Sequence, residues 1–255
     1  MIKAEILAIG DELCYGRVYD TNSFWLADQV TRLGVIVQRI TCIRDDPNEI
    51  CTVLRDMLNR RPCFIFITGG LGPTEDDKTI EALAKFAGRR VVVDENILTK
   101  GRKLSSSQLL PSHFKMSSTV EGAECLPNPL GWSPLTILRM RETTIFTIPG
   151  PPKELQSCFN THIIKEIGKI THNYSFAKRL MTTMYESEMA PLISQILKAF
   201  PGVYIKPLIS EYTLKYRMGV EIIVFDNDQK SCQRKYKEVL KMLKDLVKQK
   251  GKILD

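Results

Sequence analysis

Phe64-Ile-Phe-Ile-Thr-Gly-Gly-Leu-Gly-Pro-Thr-Glu-Asp-Asp-Lys-Thr79 decides the fold of this chain. Phe64 to Ile67 are apolar and β-prone, the composition of a central strand buried on both faces. Thr68-Gly-Gly-Leu-Gly72 then lets the backbone turn sharply and approach a ligand closely, because glycine carries no Cβ to obstruct it. From Thr74 the spacing predicts a helix, with Ile80, Leu83, Ala84 and Ala87 on one side and Gly88 as its stop. A glycine loop between a strand and a helix N-terminus is a place for phosphate or another anion. Gly69, Gly70, Leu71, Gly72, Pro73 and Thr74 are therefore the candidate phosphate cradle. Asp76 and Asp77 reach the same mouth, and phosphate beside carboxylate calls for a cation between them.

Outward from this stretch the same grammar repeats. Ala4 to Ile9 reads as a first strand opening into the turn Gly10-Asp-Glu-Leu-Cys-Tyr-Gly16. A helix from Ser23 to Leu33 follows, which Asn22 or Thr21 is placed to cap, and Gly34 ends it. Val35 to Ile43 is a second strand, Arg44-Asp-Asp-Pro47 a break, and Pro47 to Asn59 a second helix. This alternation predicts a parallel sheet covered on both faces. Ligands bind such sheets beyond the carboxyl ends of the strands, where the loops Gly10 to Gly16, Arg44 to Pro47 and Thr68 to Thr79 all fall.

Downstream, Arg90 to Asp94 is a short strand and Glu95 to Leu104 a helix. Ser105-Ser-Ser107 and Pro111-Ser112 punctuate a polar stretch, read as a mobile lid or a plain surface excursion. Thr136 to Arg141 and Thr143 to Ile148 form a strand pair hinged at Glu142, and Pro149-Gly-Pro-Pro152 opens a helix to about Glu166. Thr171 to Ser175 is a polar linker dividing a domain over 1–170 from one over 175–255. The second reads as strand Ala177 to Met184, helix Ser187 to Phe200, strands Val203 to Ile209 and Lys215 to Asp226, and helix Gln229 to Lys250. This βαββα order is KH-like, but no G-x-x-G loop accompanies it.

Composition bounds the function. The 255 residues are 44% apolar and 25% charged, the profile of a soluble globular protein. No apolar run approaches a membrane span, and Met1-Ile-Lys-Ala-Glu-Ile-Leu runs straight into a strand without a signal peptide. The seven cysteines form no C-x-x-C pair, and the three histidines have no metal spacing. Reduced thiols, a cytoplasmic location and no structural zinc follow as expectations. The net charge of +7 is concentrated in lysines of the last helix, read as its solvated face, so nucleic-acid binding is the minority reading.

With these segments in place, the chain resembles the CinA family, within the group related to molybdopterin-binding proteins of the MoaB, MogA and MoeA type. The resemblance is carried by Ala8-Ile-Gly-Asp-Glu-Leu-x-x-Gly16, Asp20-Thr-Asn22, Arg44-Asp-Asp46 and Thr68-Gly-Gly-Leu-Gly-Pro-Thr-x-Asp-Asp-x-Thr79. Leu126-Pro-Asn-Pro-x-Gly131 and Pro149-Gly-Pro-Pro-x-Glu154 complete it. It implies a MoaB/MogA-like α/β domain with a three-layer, mostly parallel sheet, followed by a smaller KH-like α+β domain resembling the middle domain of CinA. The C-terminal nicotinamide-nucleotide amidase domain of full-length CinA is not recognised. The resemblance further implies a homodimer that binds a nucleotide or pterin-type phosphorylated ligand. The activity it implies is metal-dependent hydrolysis of ADP-ribose to AMP and ribose 5-phosphate, the alternative being binding without hydrolysis. Trp132-Ser-Pro-Leu135 departs from the family's Thr-Ala-Pro-Gly, placing a bulky indole near the pocket mouth.

Each candidate side chain carries two readings. Asp77 anchors a divalent ion bridging a pyrophosphate, or closes a helix capping box with Thr74. Asp45 is a second metal ligand or a water-positioning base, or an Asx turn before Pro47. Asp11 and Glu12 bind a ribose hydroxyl or are simply solvated, and Asn22 orients ligand or caps its helix. Gly150 lines the pocket wall. No histidine lies in these motifs, so hydrolysis falls to carboxylates and a divalent metal ion.

Overall fold

The computed structural model describes residues 2–104, 108–171, 174–208 and 217–255. Ser105 to Ser107, His172 and Asn173 of the linker, Ile209, and the expected strand start at Lys215 and Tyr216 lie outside them. The chain divides into two compact units: Met1–Thr31 with Val35–Ile170, and Arg32–Gly34 with Thr171–Asp255.

The first unit is built on a sheet of six strands: β1 (Ile2–Ile9), β2 (Val35–Ile43), β3 (Phe64–Thr68), β6 (Glu124–Leu126), β7 (Leu135–Met140) and β8 (Thr143–Ile148). Their order is β2-β1-β3-β8-β7-β6. β2, β1, β3 and β8 run parallel, and β7 and β6 add an antiparallel edge. The remaining pair, β4 (Val91–Val93) and β5 (Ser118–Val120), forms a separate ribbon, with α5 (Glu95–Leu104) and α6 (Pro111–Met116) between its strands in the chain. From β1 the chain crosses to β2 on one side through α2 (Thr21–Arg32), then returns past β1 to β3 through α3 (Pro47–Asn59). Right-handed crossovers in opposite directions place α2 and α3 on opposite faces. The next crossover continues outward from β3, so α4 (Thr79–Ala87) joins α3.

Both faces of β3 are consequently buried, as its unbroken apolar run requires. Ile65 and Ile67 point into a core with Leu54 and Met57 of α3 and Leu83 of α4. Phe64 and Phe66 turn to the other face and cluster with Phe146 of β8, at centroid separations of 5.3 to 6.1 Å. Glu5, fully buried in the middle of β1, is held by a two-pronged ion pair with Arg60 at 2.7 and 2.6 Å. The helix after β8 runs as α7 (Pro152–Cys158), a π-turn (Phe159–Ile163) and α8 (Ile164–Ile170), four residues beyond its expected end.

The second unit has the expected βαββα order: β9 (Tyr174–Thr182), α9 (Glu186–Ala199), β10 (Tyr204–Leu208), β11 (Met218–Asp226) and α10 (Gln229–Gln249). Its sheet is antiparallel, ordered β10-β11-β9. α10 buries Cys232, Tyr236, Val239, Leu243 and Val247 at three- and four-residue spacing. Its lysines lie on the outward side, the solvated face expected of them.

Candidate functional site

The topology reverses at β1, and the carboxyl ends of β1, β2, β3 and β8 open a cleft of about 310 Å³ at that reversal. It is lined by Gly10, Glu12, Asp45, Gly69, Gly70, Leu71, Gly72, Asp76, Asp77 and Gly150, among others. Pro73 lines an adjoining cavity instead. Asp11, Asn22 and Thr74 line neither cavity and instead bond to residues around them, Asp11 to Asp45, Asn22 to Gly150 and Thr74 to Asp77.

The glycine loop is shaped by its neighbours. Gly69 and Gly70 take φ of 99° and 65°, a region glycine enters without cost. A Cβ on Gly69 would collide with the Ile9 carbonyl, and one on Gly70 with the Thr79 hydroxyl. Thr79 pins the loop, its hydroxyl donating to the Gly69 carbonyl at 2.9 Å and its amide to the Gly70 carbonyl at 3.2 Å. Because a trans peptide sets N–H opposite C=O, the amides of Gly70 and Leu71 point away from Thr79. Leu71 is fixed in turn by Ser133, whose hydroxyl donates to its carbonyl at 2.7 Å. The loop thus turns its Gly69 and Gly70 carbonyls to the head of α4 and presents the amides of Gly70 and Leu71 on the opposite side.

Four local expectations are corrected here. The helix begins at Thr79 rather than Thr74, and Lys78 occupies its N-cap. Residues 74–78 form a turn in which Asp77 Oδ2 accepts from the Thr74 hydroxyl at 2.6 Å and the Thr74 amide at 3.0 Å. Asp77 is therefore no member of a capping box, and the Thr74 amide is already engaged. Asp45 forms no Asx turn before Pro47; Asp46 does that, accepting from the amides of Asn48 and Glu49 at the head of α3. Asn22 caps nothing, since Asp20 takes the Ser23 amide at 2.9 Å. The Asn22 amide group instead donates to the Gly150 carbonyl at 2.7 Å and to Thr68 Oγ1 at 3.2 Å, tying the loop after β8 to the end of β3.

The acidic rim is organised by a clasp. The Asp11 amide, opening the single turn α1 (Asp11–Cys14), donates to Asp45 Oδ2 at 2.9 Å, and the Asp45 amide returns a bond to Asp11 Oδ1 at 3.3 Å. Arg44 forks onto the Asp11 carboxylate at 3.0 Å through two nitrogens, and its guanidinium lies over the Tyr15 ring. The Arg44 bond holds Asp11 below the usual carboxylate range. Burial pushes Asp45 up, with the charges of Asp11, Glu12 and Asp77 adding to it. Asp45 Oδ1 faces the glycine loop, 3.2 Å from where a Cβ on Gly70 would stand. Among the described residues no three His, Cys, Asp or Glu side chains gather as a metal cage. Asp45 and Asp77 nevertheless suit a hard cation that takes its remaining oxygens from phosphate and water.

Beside the cleft lies a second, largely apolar cavity of about 190 Å³, walled by Leu71, Gly72, Pro73, Met116, Trp132 and Pro149 to Pro151, with Glu154 at its edge. Trp132 is fixed by stacking on His113, centroids 4.2 Å apart, and by an Nε1–H bond to Ser117 Oγ at 2.9 Å. Asn128, buried, donates to Glu154 Oε2 at 2.6 Å and receives the Leu130 amide on its own oxygen, while Lys100 donates to the Asn128 carbonyl. This Asn128–Glu154–Lys100 assembly escaped the sequence reading, although Asn128 and Glu154 both stand in recognised motifs. The available signal was the pairing of an amide in Leu126-Pro-Asn-Pro with an acid after Pro149-Gly-Pro-Pro.

Comparison with known proteins agrees with this architecture. Residues 5–169 match the model of a probable molybdopterin-binding domain. A protein of Metallosphaera sedula is 34% identical over 258 residues, spanning 99% of this chain and 97% of its own. One of Pyrococcus abyssi is 32% identical over 243 residues, 91% of this chain and 94% of its own. Among solved structures, a CinA protein of unknown function from Thermoplasma acidophilum superposes with a TM-score of 0.61. It shares 30% identity and covers 65% of this chain and 97% of its own. MoaB of Thermus thermophilus gives 0.42 at 20% identity, over 66% of this chain and 98% of its own. The family match over residues 5–169, the Metallosphaera sedula relative and the Thermoplasma acidophilum CinA structure establish that the chain belongs to the probable molybdopterin-binding domain family, in a CinA-like form.

Proposed function

We propose that the cleft binds a nucleotide diphosphate and, with a divalent cation, hydrolyses its pyrophosphate link, with ADP-ribose or a related compound as substrate. The observation that carries this reading is the glycine loop with its outward amides set directly beside Asp45 and Asp77. Backbone donors grip the phosphate oxygens, and the carboxylates recruit the counter-ion. Asp77 has Oδ2 engaged by Thr74 and keeps Oδ1 for the cation. Asp45, whose charged form burial disfavours, takes a second coordination position or accepts the proton of the attacking water. When bound, the cation neutralises charge developing on the phosphoryl oxygens. Water adds to one phosphorus, the bridging P–O bond breaks, and ADP-ribose yields AMP and ribose 5-phosphate. The apolar cavity beneath Trp132 supplies a dry wall for the ring portion of the ligand.

Incubation with ADP-ribose and magnesium, followed by chromatography for AMP, tests the reading. Wild type is expected to release AMP. Asp77→Asn and Asp45→Asn should each lower the rate at least 100-fold without altering the circular dichroism spectrum, and full activity in both variants contradicts the assignment. A second reading, binding of a pterin or nucleotide without hydrolysis, is favoured by the lack of a three-donor metal cage among the described residues. Saturable binding without AMP release in any divalent metal selects it.

A further inference from the structure

Cys14 ends α1 and Cys42 sits near the end of β2, and their sulfurs stand 3.8 Å apart although 28 positions separate them in the chain. Both are exposed, whereas Cys51, Cys158 and Cys232 are buried and Cys63 and Cys125 half-buried. A disulfide needs the sulfurs at about 2.05 Å, so closing the gap asks for about 2 Å of side-chain movement at two exposed positions. The pair also brackets the clasp. Cys14 lies three residues after Asp11 and Cys42 three before Asp45, the two residues that exchange backbone-to-carboxylate bonds at the cleft rim.

From this placement we propose that Cys14 and Cys42 form a reversible dithiol that closes to a disulfide under a low-molecular-weight disulfide oxidant and locks the Asp11–Asp45 clasp. The chemistry is thiol–disulfide exchange. The Cys14 thiolate attacks the oxidant's S–S bond and expels one thiolate, leaving a mixed disulfide. The Cys42 thiolate then attacks Cys14 Sγ and expels the second. The two protein thiols are oxidised, the oxidant is reduced to two thiols, and the two protein protons pass to the departing thiolates. Burial and the neighbouring Cys14 push the Cys42 thiol up to about 12; capping of Cys14 removes its share, and ring closure should accelerate with rising pH.

The test needs neither substrate nor metal and is independent of the hydrolase reading. The reduced 255-residue chain is treated with oxidised glutathione at pH 8, and thiols are counted after denaturation. The proposal expects a fall from seven to five, a Cys14–Cys42 cross-linked peptide by mass spectrometry, and slower amide exchange at Asp11 and Asp45. Cys14→Ser should abolish the cross-link and the change in exchange. Seven surviving thiols, a stable glutathione adduct in place of the cross-link, or a different cysteine pairing overturns the dithiol. A cross-link that leaves exchange at Asp11 and Asp45 unchanged overturns the locking.

Discussion

Burial disfavours the charged form of Asp45, the carboxylates of Asp11, Glu12 and Asp77 add to that, and the Asp11 amide only partly offsets them. The sign of the stability effect follows. With its native pKa above its unfolded one, Asp45 holds more protons in the native state over the interval between them. Stability therefore falls as pH rises from about 4 through the native value, and the cost stays in force at neutral pH. Asp45→Asn should accordingly raise the melting temperature at pH 7 in the absence of divalent ions and leave it unchanged near pH 3, as measured by thermal denaturation at both pH values. Added magnesium and ADP should stabilise wild type and not the variant. This environment could not be read from Asp45 alone: of two adjacent aspartates before Pro47, sequence does not say which caps the helix. The structure gives capping to Asp46 because its side chain meets the Asn48 and Glu49 amides, which frees Asp45 to turn toward the glycine loop.

At the scale of elements, the loop after β3 is held in a conformation that only glycine enters freely. Gly70→Ala meets both a positive φ and the Thr79 hydroxyl. It should cost roughly 1–3 kcal/mol of stability, seen in urea denaturation, and displace the Gly70 and Leu71 amides. Asn22→Ala is expected to be milder, about 1 kcal/mol for its lost hydrogen bonds, with faster amide exchange around Gly150. The strands and long helices were legible because period and punctuation agree: Pro47 to Asn59 has the bounds expected. The helix after the glycine loop begins five residues beyond Thr74, because Thr74-x-x-Asp77 mimics a capping box without opening a helix. In the structure the same side-chain bonds close an isolated turn, and the chain becomes helical only once Thr79 has pinned the loop.

At the scale of the whole molecule, the buried carboxylate of Glu5 on the interior strand β1 is answered by Arg60, which follows α3. Removing one partner of such a pair strands the other, so Arg60→Ala should cost about 3–5 kcal/mol, checked by chemical denaturation. Glu5 gave no sign of this partnership in the sequence, since strand and helix end are brought together only by the β1–β3 pairing. The parallel order itself was legible from the alternation of elements; the antiparallel pairing of β7 with β8 follows from the tight turn at Arg141 and Glu142. That architecture brings four strand ends together at the cleft, and the proposed function rests on the amides of the third strand's loop. Isothermal titration with ADP, with and without magnesium, tests this most directly. Saturable binding that strengthens with magnesium, weakens at least tenfold in Gly70→Ala and loses its magnesium dependence in Asp77→Asn is the result predicted. Binding of equal strength in wild type and both variants, or none in wild type, would contradict it.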